Sequence, residues 1–203
     1  MKNQIRILGV VCLLCVLFYR CVNTTDAGAL DKDSASVNSN TYAGYSSQSD
    51  WGKHLVTTLG CGDCHTPKKM TDRGPVDDSS LLLSGFSGKI PIPELKPDQR
   101  AKGVAATFDN TGWTGPWGNS YVANLTPDST GIGNWTEEQF INCIRKGLYK
   151  GLEGSRPLMP PMPAASYRNL TDDELKAVFA YLKTVKPIQN TVPEYQPPAL
   201  AGK

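Results

Sequence analysis

The chain has 203 residues, enough for one domain with extensions and a proper hydrophobic core. Its hydrophobic fraction of 39% and charged fraction of 20% are ordinary for a globular protein. Its net charge is +2, but Lys2, Arg6 and Arg20 fall within the first 21 residues, which hold no acid, so the remainder carries 18 basic against 19 acidic groups. A chain so close to neutral has no electrostatic signature of nucleic-acid or anionic-lipid binding.

The N-terminus, "MKNQIRILGVVCLLCVLFYRC", sets Lys2 and Arg6 before an unbroken apolar run from Ile7 to Tyr19. As a helix that run would reach roughly 20 Å, short of the ~30 Å hydrocarbon core. It has the length of a signal-peptide apolar region, so residues 1–20 are expected to direct export to the extracytoplasmic face of a bacterial membrane. Three endings stay open. Cys21 stands where a lipoprotein would be cleaved and acylated, although Arg20 occupies a position that usually holds a small residue. Cleavage after Ala27, Gly28 and Ala29 is the second, and an unprocessed anchor the third. Cys12 and Cys15, inside the apolar run, are expected to do no chemistry. Residues 21–48 are rich in Ser, Asn, Thr, Asp and Gly and read as a flexible tether.

Residues 49–187 are expected to form the folded domain, with 188–203 an extended C-terminal tail. Three helices are predicted. The first covers Ser49 to Leu59, with Trp51, Leu55 and Leu59 four apart on one face. The second begins at "NWTEEQFINCIRKG": Thr136 caps it, Gln139 completes a capping box, and Gly147 stops it. Phe140, Cys143 and Ile144 form its buried stripe, which makes Cys143 a core thiol. The third is "LTDDELKAVFAYLKTVKP", capped by Thr171 with Glu174 three residues on, its apolar face made of Leu175, Val178, Phe179 and Leu182. The Gly-, Pro- and Ser-rich stretches between the first two show little strand alternation. Loops that long need something to organise them.

"CGDCH", Cys61 to His65, carries the chemistry. A redox dithiol belongs in a βαβ pattern, which is absent here. A structural zinc site needs about four ligands, and outside the leader only Cys143 and His54 remain, neither at a paired spacing. Covalent haem attachment uses what is present: two thiols on one helical turn for the two vinyl groups, and an adjacent histidine for the iron. The iron's sixth partner would come from Met70, Met159, Met162 or His54. "RPLMPPMPAASY" sets Met159 and Met162 among four prolines, which stiffen and extend the backbone around them.

"CGDCH", "SYVANLTPDSTGIGNWTEEQF" and "LMPPMPAASYRNLTDDELKAVFAYLKTVKP" resemble, in order, the haem domain of class I c-type cytochromes. They are most similar to the repeated domains in cytochrome subunits of bacterial membrane alcohol and gluconate dehydrogenases. The resemblance spans residues 49–190 and implies an all-α fold: about three main helices, with long loops wrapped around one covalent haem c. It implies Cys61 and Cys64 as thioether anchors and His65 as one axial ligand. Met162, in a Pro-x-Met-Pro-like segment, is the other, with Met159 as runner-up. It implies further that the Pro75 carbonyl accepts from the second ring nitrogen of His65, and that Gly52 lets the first and last helices approach near Phe179 or Tyr181. Trp113, Trp117, Tyr121 and Trp135 are candidates for the crevice wall. Those dehydrogenase subunits carry three such domains, whereas this chain has one CxxCH.

The expected function is single-electron transfer between redox partners: a dehydrogenase, a quinol-oxidising complex or a terminal oxidase. No small-molecule substrate and no catalytic acid–base set is expected. A haem enzyme or gas sensor with an open sixth position, and a copper-handling protein using the same soft ligands, remain as alternatives. Residues 80–118 receive no role from sequence.

Overall fold

The computed structural model describes residues 42–198; the apolar N-terminal segment, Cys21 and the tether up to residue 41 lie outside them. Helix α1 spans Gln48–Thr58, and Ser47 caps it by accepting from the Asp50 amide at 3.0 Å. Helix α2 is one short turn, Cys61–His65. It is followed by the strands β1 (Lys68–Thr71) and β2 (Gly74–Asp77), and then by the single turn α3 (Pro97–Arg100). Strands β3 (Ala105–Ala106), β4 (Gly112–Gly115) and β5 (Gly118–Tyr121) come next. The remaining helices are α4 (Glu137–Lys146), α5 (Ala164–Tyr167) and α6 (Asp172–Leu182).

Helices α1 and α6 pack directly on each other. The sequence permits this at one point above all: a Cβ added to Gly52 would lie 1.8 Å from the Ala177 carbonyl oxygen and 2.9 Å from Tyr181 Cβ. The contact is therefore with the backbone of α6 at Ala177 and the root of Tyr181, and no ring of Phe179 is involved. Around it Leu55, Val56, Leu175, Val178 and Leu182 form the core, joined by Ile132 and by Phe140 from α4. The Phe140 and Phe179 rings lie 5.2 Å apart, tying α4 to α6. Burying each such side chain contributes about 1.5–3 kcal/mol.

The helix ends follow the sequence with one exception. In α6 the capping box is complete, with Thr171 accepting from the Glu174 amide and the Glu174 carboxylate accepting from the Thr171 amide. In α4 Thr136 caps and Gly147 closes in the left-handed region, but Gln139 does not reach back. Its amide instead donates to the Lys150 carbonyl at 2.9 Å, fastening the following loop.

The all-α expectation is overturned by two small antiparallel sheets. One is the β1–β2 hairpin, and the other has the order β3–β4–β5. Their sequences, such as "GWTG" and "GNSY", carry no run of alternating apolar residues, so strand periodicity was invisible. Polar turn chemistry builds them instead. The buried Asp109 carboxylate accepts from the Thr107 and Thr111 hydroxyls and the Thr111 amide, closing the β3–β4 turn. Residues 80–118, unassigned from sequence, thus include strands β3 and β4 of the second sheet and the segment Leu83–Phe86 that leads towards it.

Candidate functional site

Gly60, at φ +68°, redirects the chain between α1 and α2 at little steric cost. The single turn of α2 then presents Cys61, Cys64 and His65 to one cavity of about 500 Å³, within the range of cofactor pockets. Met159 and Met162 line the same cavity from the loop before α5. Five of the candidate groups are therefore brought together: two thiols, an imidazole and two thioethers. Met70 and His54 are not among them. Met70 projects from β1 with 59% of its surface exposed, and His54 lies exposed on α1, its ring 5.1 Å from that of Tyr45. Of the four aromatic candidates, Tyr121 and Trp135 line the cavity. The Trp113 and Trp117 indoles lie outside it and donate to Asn110 O and Ser120 Oγ.

The His65 ring is held from a direction that the sequence reading missed. Its Nδ1 lies 2.8 Å from the Ala123 carbonyl oxygen. A carbonyl can only accept, so Nδ1 carries the proton and Nε2 keeps its lone pair. Desolvation by burial pushes the ring pKa down to about 4, outweighing the Ala123 carbonyl, which acts the other way. The imidazole is thus neutral at physiological pH and competent as a metal ligand. The assignment of this role to Pro75 is corrected: Pro75 pairs with Met70 on the exposed β1–β2 hairpin.

The Ala123 carbonyl is placed by the segment Leu83–Phe86, which runs between His65 and residues 122–125. The Gly85 amide donates to His65 O at 2.8 Å, the Phe86 amide to Val122 O at 2.9 Å, and the Leu125 amide to Leu83 O at 2.9 Å. The fully buried Thr66 accepts from the Leu83 amide at 3.1 Å. Gly85 is obligatory at φ +77°, since a Cβ there would lie 2.5 Å from Val122 O and 2.6 Å from Ala123 O.

The thiols lack the lowered pKa of an activated redox dithiol. Burial pushes Cys61 up to about 11 and raises Cys64 as well, whereas catalytic dithiols need the opposite shift. No three His, Cys, Asp or Glu side chains among the described residues converge where they would hold an ion. Ile132, Phe140, Leu175, Val178 and Leu182 supply an apolar wall to the cavity. Cys143 sits in that wall as a buried thiol, pushed up to about 11 by desolvation.

Of two further walls, one differs in shape from the sequence reading and the other was unread. The methionine loop is a turn and not an extended run: the Met162 amide donates to Met159 O at 3.2 Å, and Ser120 Oγ donates to Pro160 O at 2.6 Å. Beyond α6, Thr191–Tyr195 return to line the cavity. This strap is tied at Asn190, whose side-chain amide donates to Ser84 O at 2.7 Å and Phe86 O at 3.0 Å. It is tied again at Gln196, which exchanges backbone hydrogen bonds with Asn119. No apolar periodicity marks "IQNTVPEYQPP", so it reads as a tail.

The donor set and the walls fit one kind of group: a flat apolar macrocycle that the two thiols could anchor and that the imidazole and a thioether could ligate. Comparison with known proteins agrees. A family model described as cytochrome c matches residues 49–186. The chain is 42% identical over 149 residues to the fructose dehydrogenase cytochrome subunit of Gluconobacter japonicus, covering 72% of this chain and 23% of that protein. It is 40% identical over 83 residues to the cytochrome c subunit of the quinone-linked alcohol dehydrogenase of Gluconobacter oxydans (strain 621H), covering 39% of this chain and 17% of that protein. It is 39% identical over 67 residues to the gluconate 2-dehydrogenase cytochrome c subunit of Pantoea cypripedii, covering 32% of this chain and 14% of that protein. The chain spans less than a quarter of the length of these relatives. With the model matching most of its length, the chain belongs to the cytochrome c family, whose cofactor is covalently bound haem c.

Proposed function

We propose that Cys61 and Cys64 hold one haem c through thioethers, with His65 and Met162 as axial ligands, and that the chain passes single electrons between respiratory partners. The observation that carries this reading is the convergence of Cys61, Cys64, His65 and the Met159–Met162 loop on one largely apolar cavity. Haem c, when bound, supplies a one-electron couple, and methionine as sixth ligand raises its potential. The protein's part is positional. Ala123 O fixes the proton at Nδ1 of His65, keeps Nε2 free for the iron, and increases the ligand's basicity. The wall of Ile132, Leu175, Val178 and Leu182 excludes water, and the Ser120–Pro160 hydrogen bond steadies the methionine loop.

A dehydrogenase is the partner that the relatives' names favour, and electron-transfer rather than catalytic subunits are what those names describe. The proposed setting is the extracytoplasmic face of a bacterial membrane, with residues 1–20 directing export, Cys21 the candidate lipid anchor and 21–48 the tether. Among the described residues no helix is long and apolar enough to cross a membrane.

The test is a reduced-minus-oxidised spectrum of exported protein after acid–acetone extraction. Extraction-resistant haem with the ferric thioether-to-iron charge-transfer band is expected. That band should disappear in Met162→Leu and survive in Met159→Leu. A five-coordinate spectrum in the wild type would instead favour ligand binding or catalysis at an open site.

A further inference from the structure

The methionine loop is poor in donors of its own: Pro157, Pro160, Pro161 and Pro163 have no amide N–H with which to fasten it. It runs directly into α5. The Ala164 amide donates to Met162 O at 2.9 Å, and Pro163 O accepts from the Ser166 and Tyr167 amides at 2.9 and 3.2 Å. Met162 and Tyr167 thereby belong to one hydrogen-bonded run of backbone. The Tyr167 side chain is half-buried in the cavity wall, and its hydroxyl donates to Leu59 O at 2.6 Å. Leu59 is the C-terminal cap of α1, where carbonyls lack helical partners. Gly60 and Cys61 follow it, so the acceptor sits at the root of the thiol turn. Arg145 also holds α5, through Arg168 O, but it does so from α4. Among the described residues the Tyr167 bond is the one hydrogen bond that joins residues 159–168 to residues 59–65.

We propose that Tyr167 is a positioning residue for the axial methionine: its bond to Leu59 O sets the separation between the methionine loop and the turn that carries Cys61, Cys64 and His65. The proposal rests on the haem reading above. A neutral thioether on a flexible side chain competes for iron only through the local concentration that its loop enforces. A loop with few amide donors depends on an external tie for that, and a phenol ring with two torsions spans the gap at little entropic cost.

The experiment titrates haem-loaded ferric wild type, Tyr167→Phe, Tyr167→Leu and Ser47→Ala with imidazole, which competes with methionine for the iron. It follows the thioether-to-iron charge-transfer band, and denaturant unfolding of each variant is measured alongside. Tyr167→Phe keeps the ring and removes only the hydroxyl. It is expected to lower the apparent Kd for imidazole roughly two- to tenfold, the worth of one neutral hydrogen bond, and Tyr167→Leu should lower it at least as far. Ser47→Ala removes the cap at the other end of α1, costs stability of similar size, and should leave the imidazole Kd unchanged. A Kd in Tyr167→Phe equal to that of the wild type would overturn the proposal, whatever the unfolding midpoint does, because the bond would then be structural only. So would an effect confined to Tyr167→Leu, which would assign it to the ring. A fall in Kd shared by Ser47→Ala would overturn it as well, since general loss of stability would account for the change. A wild type without extraction-resistant haem, or without the band, would instead show that the haem reading itself has failed, and the proposal would fall with it.

Discussion

Cys61 and Cys64 occupy a setting that keeps thiols protonated. In the haem-free chain desolvation pushes Cys61 up to about 11 from its ordinary 9.0. At pH 7 its thiolate then amounts to about one part in ten thousand, and the thiolate is the reactive form. Alkylation of Cys61 by iodoacetamide should therefore be negligible at pH 7 in the folded haem-free chain and rise steeply towards pH 11. The linked effect has a definite sign: the fold holds this proton more tightly than the unfolded chain does. Its contribution to stability is full below pH 9 and is lost as the pH climbs through about 11. Once both sulfurs are thioethers, the unfolded haem-loaded protein should offer Cys143 as the one alkylatable thiol within residues 42–198, and the tryptic peptide holding Cys61 and Cys64 should carry the haem mass. These residues were legible because their chemistry depends on a five-residue spacing. Ala123 was not, because it is 58 residues from His65 and contributes a carbonyl that every residue possesses. Tyr167 was equally silent, since nothing local distinguishes a tyrosine whose hydroxyl crosses to another helix from a solvated one.

Elements differ in how openly the sequence declares them. The three main helices carry apolar stripes and caps, and they appear within a residue or so of their expected bounds. The strands are short, polar and stabilised by turn residues, so a reading built on hydrophobic period had no purchase on them. Two glycines show where elements meet. Gly52→Ala would drive a methyl into the Ala177 carbonyl with no side chain able to yield, and should cost at least about 3 kcal/mol in denaturant unfolding. Gly85→Ala acts closer to the site. It combines a left-handed backbone with contacts at 2.5–2.6 Å to Val122 and Ala123, and should destabilise by about 2 kcal/mol or more. It should also raise the reduction potential, because an imidazole released from Ala123 O is a less basic ligand and stabilises ferric iron less. Spectro-electrochemistry on the variant, compared with Gly52→Ala as a stability-matched control, checks that separation.

At the scale of the molecule, the strap beyond α6 is what most distinguishes the described fold from the expected one. Residues 188–196 tie back to positions over sixty residues earlier: the Asn124 side-chain amide donates to Ile188 O at 2.8 Å, and the Ile188 amide donates to Thr126 Oγ1 at 3.1 Å. Each of these bonds contributes about 0.5–1.5 kcal/mol, and without the strap the buried Asn124 and Thr126 keep only Thr130 and each other as partners. A chain ending at Pro187 should lose at least about 2 kcal/mol of stability by that account. Under the proposed ligation, stopped-flow mixing with imidazole should replace methionine at the iron faster in that shortened chain than in the 203-residue one.

The walls of the cavity come from stretches set far apart along the chain, with Cys61 near one extreme and Tyr195 near the other. During synthesis the anchoring thiols therefore emerge more than a hundred residues ahead of the last wall. A docked strap restricts the side of the cavity that it lines, so attachment is easiest before it closes. The expected order of assembly is therefore cofactor first, closure second. Variants that dock it early should accumulate as haem-free chains, whereas variants lacking it should still mature.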